Sequence, residues 1–518
     1  MRNSKYTLII LSISLVFLLG SCTKFLETTP SSFVTPQSYY NTSAELNAAL
    51  TGVYNVLSNN ATYQNGLFAT HPYGNDEGYF SRNFQVTGVQ VYNYTASNAD
   101  ITALWDILYQ GIERANVLLA NINKPPMDSA SRNEIKGEAL FLRAYFYFLL
   151  VSKWGDVPLK LTPTTSLDSI AIARAPSVIV YNQIIADMKT ADSLVYPITA
   201  VSTPGRVNKS CVEGILARVC LTMAGYPVRD VSKYTDAQYW ASKVVQSGYH
   251  GLNVSYSQVF INQIQKIYDT KESLWEAEMY YNPATANVNN SGGSLGVTVG
   301  IICSNQNIGY SYGQIYATGL MYKMYDDTND VRRDWNIANF VYSGTNKLYF
   351  TPKAIYSRCV GKWRREYELI VPKTKNVNAT NFPLLRYADV LLMLAEAENE
   401  LNGPTVLAHQ YLNTVRSRAK AYAFTGSKTI TDKDAFRQII QNERARELCF
   451  EGLRKADLIR WGILYTTMKA VANDFSVNGG SNNWGAIAGN NFAQRYLLYP
   501  IPQYEISLNK LLVQNPGF

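Results

Sequence analysis

Apolar residues recur at intervals of three and four along most of this chain, which is the pattern of helices that bury one face. The segments that show it are 44–57, 101–121, 133–154, 177–194, 209–224, 236–247, 387–401, 405–421 and 432–461. Small residues inside them, such as Gly137, Gly214 and Ala395, let neighbouring helices pack closely. Because helix pairs follow one another every few tens of residues, the pattern predicts a mainly α fold of tetratricopeptide-like pairs, an alpha-alpha superhelix.

The residues at the predicted helix ends agree with this pattern. Thr42 or Ser43 precedes the first helix, and Glu45 follows in its first turn, which is a typical N-terminal signal. Three other predicted helices are followed by a glycine, the residue that most often closes a helix, at Gly155, Gly225 and Gly403.

Two stretches interrupt the helical pattern. From Met279 to Tyr322 the chain has 44 residues without a charge and is rich in Asn, Gly, Ser and Tyr, and 475–491 is a second stretch of this kind. A loop of such length in a compact protein is usually functional or disordered, and the tyrosines argue against disorder. Both stretches are predicted to be long irregular loops, and such loops are expected to form a ligand-binding face.

The composition favours a folded protein with an aromatic surface or core. Hydrophobic residues make up 47% of the chain and charged residues 17%, which excludes a disordered or fibrous protein. The 38 tyrosines outnumber the 19 phenylalanines and 8 tryptophans. Tyrosine joins an apolar ring to a polar end, so the surplus suits a surface that contacts a bulky polar ligand, or alternatively a core rich in tyrosine.

The first residues have the order of a bacterial lipoprotein signal. Arg2 and Lys5 precede an uncharged run over 7–19, which reaches only about 20 Å as a helix and is too short to span a membrane. Residues 1–21 are therefore predicted to be a signal peptide, and the small pair before Cys22 predicts cleavage and lipidation at that cysteine. The alternative is a plain secretory signal with a chance cysteine.

The charge pattern excludes one class of partner. The net charge of +8 is dispersed, and its densest basic cluster, 362–365, is followed at once by Glu366 and Glu368, so no nucleic acid is expected to bind. Cys211 and Cys220 face opposite sides of one predicted helix and are interpreted as small buried hydrophobic residues.

Three carboxylates are the strongest candidate for catalysis. Glu443, Glu447 and Glu451 lie one turn apart on a predicted helix face, and paired carboxylates at about 5–9.5 Å perform glycoside hydrolysis. However, stacked acids repel one another, and arginines that include Arg386 or Arg416 are natural partners. A structural ion-pair network is the favoured interpretation, so no catalytic residue is assigned and no enzyme activity is expected.

Metal ligands and cofactor motifs are not evident in the sequence. His71, His250 and His409 are the only histidines, and none has a second His or a Cys at ligand spacing. The segment 326–330 offers oxygen ligands but lacks the Gly and Glu that an EF-hand needs at positions six and twelve, so a capped turn is predicted there. We therefore expect neither a metal nor another cofactor.

Ordered sequence blocks carry a resemblance that covers nearly the full length of the chain. The sharpest are GEALFLRAY at 137–145, WGDVPL at 154–159 and ERAREL at 443–448. The others lie at 22–30, 49–54, 386–392, 412–416, 451–454, 499–502 and 514–518. With these blocks the chain resembles the SusD/RagB family of outer-membrane lipoproteins that bind nutrients.

The resemblance implies one SusD-like unit over 22–518, with an N-terminal part over 22–270 and a C-terminal part over 271–518. It implies a surface-exposed lipoprotein in the outer membrane of a Bacteroidetes-type bacterium, with a SusC-like TonB-dependent transporter as its partner. The expected function is capture of an oligosaccharide for uptake through that transporter. Capture of a peptide is the alternative, followed by a surface glycoside hydrolase and a helical scaffold without a small ligand.

A glycan binder needs exposed aromatic rings for stacking on sugars, together with polar groups that pair with hydroxyls. The uncharged stretch supplies tyrosines, and the segment 73–83 supplies both kinds of side chain. The predicted ligand-binding residues are Asn75, Asp76, Tyr79, Arg82, Tyr280, Tyr310, Tyr312 and Trp335, with Trp484 as a further candidate.

Overall fold

A computed structural model describes residues 39–166, 171–285 and 292–518. The predicted signal peptide and Cys22 lie outside these ranges. The helices of the first half are α1 Ser43–Tyr54, α2 Gly66–Ala69, α3 Ala99–Asn121, α4 Ser129–Trp154, α5 Ser177–Leu194, α6 Lys209–Ala224, α7 Lys233–Gln246 and α8 Tyr256–Gln265. Those of the second half are α9 Gly319–Lys323, α10 Arg332–Asn336, α11 Tyr387–Asn402, α12 Val406–Arg418, α13 Lys433–Leu448, α14 Arg454–Arg460, α15 Leu464–Asn478, α16 Ile487–Asn491 and α17 Gln503–Leu508.

The strands of the described ranges are short and pair antiparallel in twos. They are β1 Gly78–Phe80 with β5 Ile315–Ala317, β2 Val157–Pro158 with β3 Arg174–Ala175, β4 Ser273–Ala277 with β8 Phe382–Arg386, and β6 Phe340–Ser343 with β7 Asn346–Tyr349. In the first pair Tyr79 lies opposite Tyr316. Each of these pairs joins segments that connect helices, so the sheets fasten the loops to a helical body.

Antiparallel helix pairs form that body, which confirms the predicted mainly α fold. Helix α4 packs between α3 and α5, α6 packs on α7, and α11 packs on α12, α7 and α13. Most of α4 is buried, and its residues Tyr145 and Tyr147 are core residues. Burial of several faces explains why this helix is apolar almost all round.

The predicted helix ends are confirmed. Thr42 and Glu45 form a capping box, in which each side chain accepts from the other residue's backbone N–H. Gly155 follows α4 with a φ of 72°, a left-handed value that glycine adopts without strain. Gly225 and Gly403 occupy the C-terminal caps of α6 and α11.

The prediction of one long helix over 432–461 is wrong. The chain leaves α13 after Leu448 and enters α14 at Arg454, with left-handed backbone at Phe450 (φ 65°) and Gly452 (φ 78°). The Phe450 N–H, released from the helix ladder, donates to Glu77 Oε2 over 3.0 Å. Periodicity alone missed the break because apolar spacing continues on both sides of it.

The prediction of an irregular loop over 475–491 is also wrong. This segment contains the end of α15, a 3-10 turn at Gly480–Ala486 and helix α16. Phe475 is fully buried, and a Cβ placed on Gly485 would lie 2.4 Å from its ring. The glycines therefore serve close packing here, a use that composition does not distinguish from a loop.

The uncharged stretch from Met279 to Tyr322 is only partly irregular. It contains β5 and α9, and several of its apolar side chains, among them Leu295, Val297 and Val299, are buried. Its residues 286–291 lie outside the described ranges. The stretch is thus folded onto the helical body, and its polar residues cover the surface of a packed layer.

Within the described ranges, no helix combines the length and the apolar character that crossing a membrane requires.

Candidate ligand-binding surface

Tyr310 and Tyr312 form an aromatic pair on the surface. Residues alternate sides in an extended segment, so the two rings point the same way while Ser311 between them is buried. Ser311 and Cys303 exchange backbone hydrogen bonds of 2.9 and 3.1 Å, which fix the segment. The ring centroids of Tyr310 and Tyr312 lie 4.9 Å apart at an interplanar angle of 77°, and Tyr312 is 36% exposed.

Two cationic side chains, Arg365 and Lys375, contact Tyr310 of this pair. Arg365 is buried, donates to the Tyr310 carbonyl over 2.5 Å and to the Thr374 carbonyl over 2.8 Å, and forms an ion pair with Glu368. Lys375 is exposed, and its Nζ lies 5.4 Å from the centre of the Tyr310 ring. Arg365 therefore holds the loop in place, whereas Lys375 is available to a ligand.

Trp335 is a partly buried residue of helix α10. The Arg364 guanidinium stacks on its ring at 4.2 Å, and the Tyr367 ring centroid lies 6.0 Å away. Arg364 also donates to the Asp334 and Trp335 carbonyls, over 2.8 and 3.3 Å. Because Arg364 is next to Arg365 in the chain, one short segment supports both Trp335 and Tyr310.

Tyr280 is 53% exposed. Its neighbour Tyr281 is buried and lines a shallow depression together with Arg365, Lys373 and Asn378. The Asn282 amide lies 3.4 Å from the Tyr280 hydroxyl as a donor. We name the group Tyr280, Tyr310, Tyr312, Trp335 and Lys375 the aromatic surface.

Three predicted binding residues lie inside the protein instead. Asn75 is buried and donates to the Pro72 carbonyl over 3.0 Å, and Asp76 is buried in a bidentate ion pair with Arg454 at 2.7 and 2.8 Å. The Tyr79 hydroxyl donates to the Tyr356 carbonyl, and its ring packs on Phe475. These partners satisfy the polar groups, so Asn75, Asp76 and Tyr79 are not part of the aromatic surface.

Arg82 and Trp484 differ from these three. Arg82 is exposed in the turn after β1, where the preceding Ser81 N–H donates to the Gln314 carbonyl over 2.8 Å. Trp484 is partly buried, and its indole N–H donates to the Phe80 carbonyl over 3.2 Å. Arg82 is exposed and remains a candidate, whereas the Phe80 carbonyl holds Trp484 in place.

The matches to known proteins cover both halves of the chain. A family model described as "SusD family" matches residues 304–518, and one described as "Starch-binding associating with outer membrane" matches residues 24–221. A SusD-like protein of Formosa agariphila is 26% identical over 98% of both chains. The starch-binding protein SusD of Bacteroides thetaiotaomicron is 25% identical over 76% of this chain and 74% of its own.

Solved structures agree with these matches. A SusD homologue from Bacteroides thetaiotaomicron superposes with a TM-score of 0.84 at 28% identity, over 93% of this chain and 98% of the other. A laminarin-binding SusD-like protein superposes with a TM-score of 0.75 at 21% identity, over 92% of this chain and all of the other (100%). The chain belongs to the SusD/RagB family.

In this SusD/RagB chain, the carboxylates of α13 are buried ion-pair partners, as the sequence indicated. Glu443 pairs with Arg332 and Arg416 at 2.7 and 2.6 Å. Glu447 pairs with Arg386 and Arg418 at 3.0 and 2.5 Å. Both carboxylates are fully buried.

The pKa of Glu447 shows which influence dominates. Burial by itself would raise this pKa, but Arg418, Arg386 and Arg332 together lower it to about 2. Glu447 is therefore ionised at neutral pH and has no proton to donate as a general acid. The network stabilises the junction of α10, β8, α12 and α13.

The acidic residues of segment 326–330 form ion pairs and hydrogen bonds with other residues of the protein. Asp330 pairs with Arg332 at 2.7 Å, and Asp327 accepts the Asn329 and Tyr422 N–H groups over 2.9 and 2.7 Å. These contacts agree with the predicted capped turn. In the part of the chain that the structure describes, no group of three His, Cys, Asp or Glu residues is arranged to hold a metal ion.

Sequence reasoning missed the β6–β7 hairpin next to this surface. Tyr349 and Leu348 are well exposed on β7, and the Tyr342 hydroxyl on β6 donates to Glu366, which follows Arg365. The available signal was two short apolar and aromatic segments, 340–342 and 348–350, on either side of a polar turn at Gly344, where φ is 61°. The hairpin extends the aromatic character of the region beyond the predicted tyrosines.

Proposed function

We propose that this protein is a lipid-anchored protein of the outer-membrane surface that captures an oligosaccharide and passes it to a SusC-like TonB-dependent transporter. The observation that carries the proposal is the aromatic surface, with exposed rings at Tyr280 and Tyr312 and a free cation at Lys375. Support also comes from the starch-binding and laminarin-binding relatives and from the outer-membrane association named in the matching family model.

The chemistry of the surface suits a neutral or weakly acidic glycan. Sugar rings present C–H faces that pack on aromatic rings, and their hydroxyls pair with amides and cations. The edge-to-face arrangement of Tyr310 and Tyr312 holds both rings rigidly, so a ligand orders few side chains when it binds. Many modest contacts of this kind retain a ligand and still allow transfer to a transporter.

Binding without cleavage is the expected mode of action. The paired carboxylates that a glycosidase would need are in α13, where arginines neutralise them inside the fold. We therefore expect incubation with the bound glycan to leave its chain length unchanged, as judged by chromatography.

A binding screen tests the proposal. The protein without residues 1–22 is titrated by calorimetry with soluble oligosaccharides of α- and β-glucans and other plant and algal glycans, and with a matched set of peptides. Tyr312→Ala is expected to weaken binding of the glycan hit about tenfold, roughly 1.4 kcal/mol. Tyr239→Ala is the matched control, because Tyr239 is 57% exposed on α7, away from the aromatic surface.

The outcomes separate the alternatives. Binding of peptides without any glycan would replace the proposal with peptide capture. Equal affinities of the wild type and Tyr312→Ala for the glycan would show that the aromatic surface is not the binding site. In the native bacterium, Cys22→Ala is expected to move the protein out of the outer-membrane fraction, and unchanged membrane association would contradict the lipid anchor.

A further inference from the structure

A cavity of about 150 Å³ lies inside the helical body. It is bounded by the end of α4, by α14, by the segment after α2 and by residues 496–499, and the half-exposed Tyr226 lies at its border. Its volume is far above the roughly 10–15 Å³ that one water molecule needs. The described residues that line it include no member of the aromatic surface, so the proposed glycan site does not account for it.

Besides the arginines Arg218, Arg444 and Arg460, three basic side chains line this cavity: His71, Lys153 and Lys455. His71 is 3% exposed, and its Nε2 has no hydrogen-bond partner among the described residues. Lys455 is 7% exposed, and apart from a 3.3 Å contact to the Tyr73 carbonyl it lies against the Tyr92 ring. Within the described part of the chain, none of the three forms an ion pair with a carboxylate.

The pKa directions show that the three groups act on one another, and no carboxylate contributes to their shifts. Burial, then the charge of Lys153, lowers the pKa of Lys455 to about 7. Burial lowers the pKa of Lys153 to about 8. The pKa of His71 is well below its usual value because of burial and both lysines. No carboxylate offsets the lowering of any of the three.

The other charged groups on the cavity wall are already paired. Glu451 is held by Lys362 and Arg386 at 2.6 and 2.8 Å, and Asp457 by Arg444 and Arg460, both at 2.8 Å. The remaining arginine pairs are Arg218 and Arg444 with Asp389 and Arg460 with Glu396. The positive charge of Lys153 and Lys455 is therefore the part that the protein leaves unbalanced.

The tautomer of His71 adds a neutral donor to the two cations. The Tyr499 hydroxyl lies 3.1 Å from His71 Nδ1, and burial raises the pKa of Tyr499, so this hydroxyl keeps its proton at neutral pH. When the hydroxyl donates to Nδ1, the ring proton is on Nε2, the nitrogen without a partner. Two ammonium groups and one N–H can all donate hydrogen bonds to the oxygens of an oxyanion.

We propose that this cavity is a binding site for a small oxyanion, held by Lys153, Lys455 and His71 Nε2–H. The shared chemistry is a compact group with two or more charged oxygens. A carboxylate of a small organic acid and an inorganic phosphate or sulfate ion both have it. The site is independent of the aromatic surface, and its test does not use a glycan.

Calorimetric titration distinguishes the sources of the anion. The protein without residues 1–22 is titrated at pH 6.5 with sodium phosphate, sodium sulfate and sodium acetate in separate arms. At least one of them is expected to bind, and Lys455→Met to weaken that binding at least tenfold. Lys510→Met is the control, because Lys510 is exposed near the C-terminus. Circular dichroism confirms that both variants are folded.

The pH dependence gives a second readout that does not require a variant. Affinity is expected to fall between pH 6.5 and pH 9, because Lys455 and Lys153 lose their protons near pH 7 and pH 8. Absence of binding by all three anions at 10 mM would overturn the proposal. Equal affinity in Lys455→Met, or an affinity independent of pH, would overturn it as well.

Discussion

At the scale of single residues, the fold contains two kinds of buried charge. Glu447 and its arginines are fully paired, whereas Lys455 has no acidic partner in the described structure. Removing one partner of a buried ion pair destabilises the fold, because the other charge is left buried and unpaired. A buried charge that has no partner in the native structure already lowers the stability of the fold. The two residues should therefore respond to neutralisation in opposite directions.

Glu447→Gln is expected to lower the free energy of unfolding by about 3 kcal/mol. The variant removes one carboxylate from the buried cluster, so that Glu272 and Glu451 alone balance the charges of Arg386 and Arg418. Urea unfolding at pH 7 measures this change. Asp434→Asn is the control, since the Asp434 carboxylate is exposed and its ion pair with Arg437 should contribute less than about 1 kcal/mol. A similar loss for both variants would contradict the special role of the network.

Lys455→Met is expected to raise the free energy of unfolding at pH 6 in buffer free of oxyanions, by an amount on the order of 2–4 kcal/mol. The pKa of Lys455 is about 7 in the fold and 10.5 in its reference state, so the unfolded chain binds more protons between these values. Wild-type stability thus increases from pH 7 to pH 10, and the advantage of the variant should shrink over that range. A constant difference would show that Lys455 does not titrate in the fold.

At the scale of elements, the break between α13 and α14 has left-handed backbone at Phe450 and at Gly452. Gly452 has a φ of 78°, and a Cβ there would lie 3.1 Å from the Leu67 carbonyl oxygen. The left-handed turn brings Phe450 against Glu77 and directs Arg454 to Asp76. It also starts α14, which carries Lys455.

Gly452→Ala is expected to destabilise the protein by about 1–2 kcal/mol, because an L side chain is strained in left-handed backbone. Gly52→Ala is the matched control. Gly52 lies in the last turn of α1, and a Cβ there has no neighbour within 4 Å, so alanine should stabilise the protein by about 0.5 kcal/mol. Thermal unfolding of both variants gives the comparison, and equal midpoints would contradict it.

At the scale of the whole molecule, ion pairs connect segments that are far apart in the sequence. Arg386 is the last residue of β8 and forms ion pairs with Glu272, Glu447 and Glu451. Asp389 forms ion pairs with Arg218 and Arg444. These contacts join helices of both halves into one packed body. We therefore expect acid to unfold the protein as a whole, in one cooperative transition.

The free energy of unfolding is expected to fall as the pH decreases from about 4.5 to about 2. Although burial would raise them, the pKa values of Glu447 and Asp389 are lowered by their arginines to about 2, so the unfolded chain binds more protons in that window. Glu77 acts in the opposite direction above pH 4.5, because burial raises its pKa to about 7. Urea unfolding across pH 2–7 measures this profile, and Glu447→Gln should show a shallower acid limb. Equal slopes below pH 4.5 would contradict the assignment.

The helices could be predicted from the sequence because their main determinant is local. Segments 177–194 and 209–224 match α5 and α6 to the residue, since apolar spacing and the residues at their ends act within a few turns. The junction at Cys449–Leu453 and the helical segment at 475–491 could not be predicted. There, contacts with Glu77 and Phe475 from other elements decide the backbone.

Some residues of the candidate site could likewise be predicted from the sequence, and others could not. Sequence composition pointed to Tyr280, Tyr310 and Tyr312, because an uncharged tyrosine-rich stretch is visible without a fold. It equally pointed to Asn75, Asp76 and Tyr79, which the fold buries. A polar side chain can be buried when a residue far away in the sequence pairs with it, as Arg454 pairs with Asp76. The sequence does not show which distant residue will be that partner.

The sequence by itself determined the helical fold, the family resemblance and the ion-paired character of the α13 carboxylates, because these depend on periodicity and on residue type. Only the tertiary structure decided which aromatic rings reach the surface and which charges lack a partner. His71, Lys153 and Lys455 are 82 and 302 residues apart along the chain, and packing of α4 against α14 brings them to one cavity. Desolvation inside that cavity is a property of the assembled fold, and it gives these residues the character of a binding site.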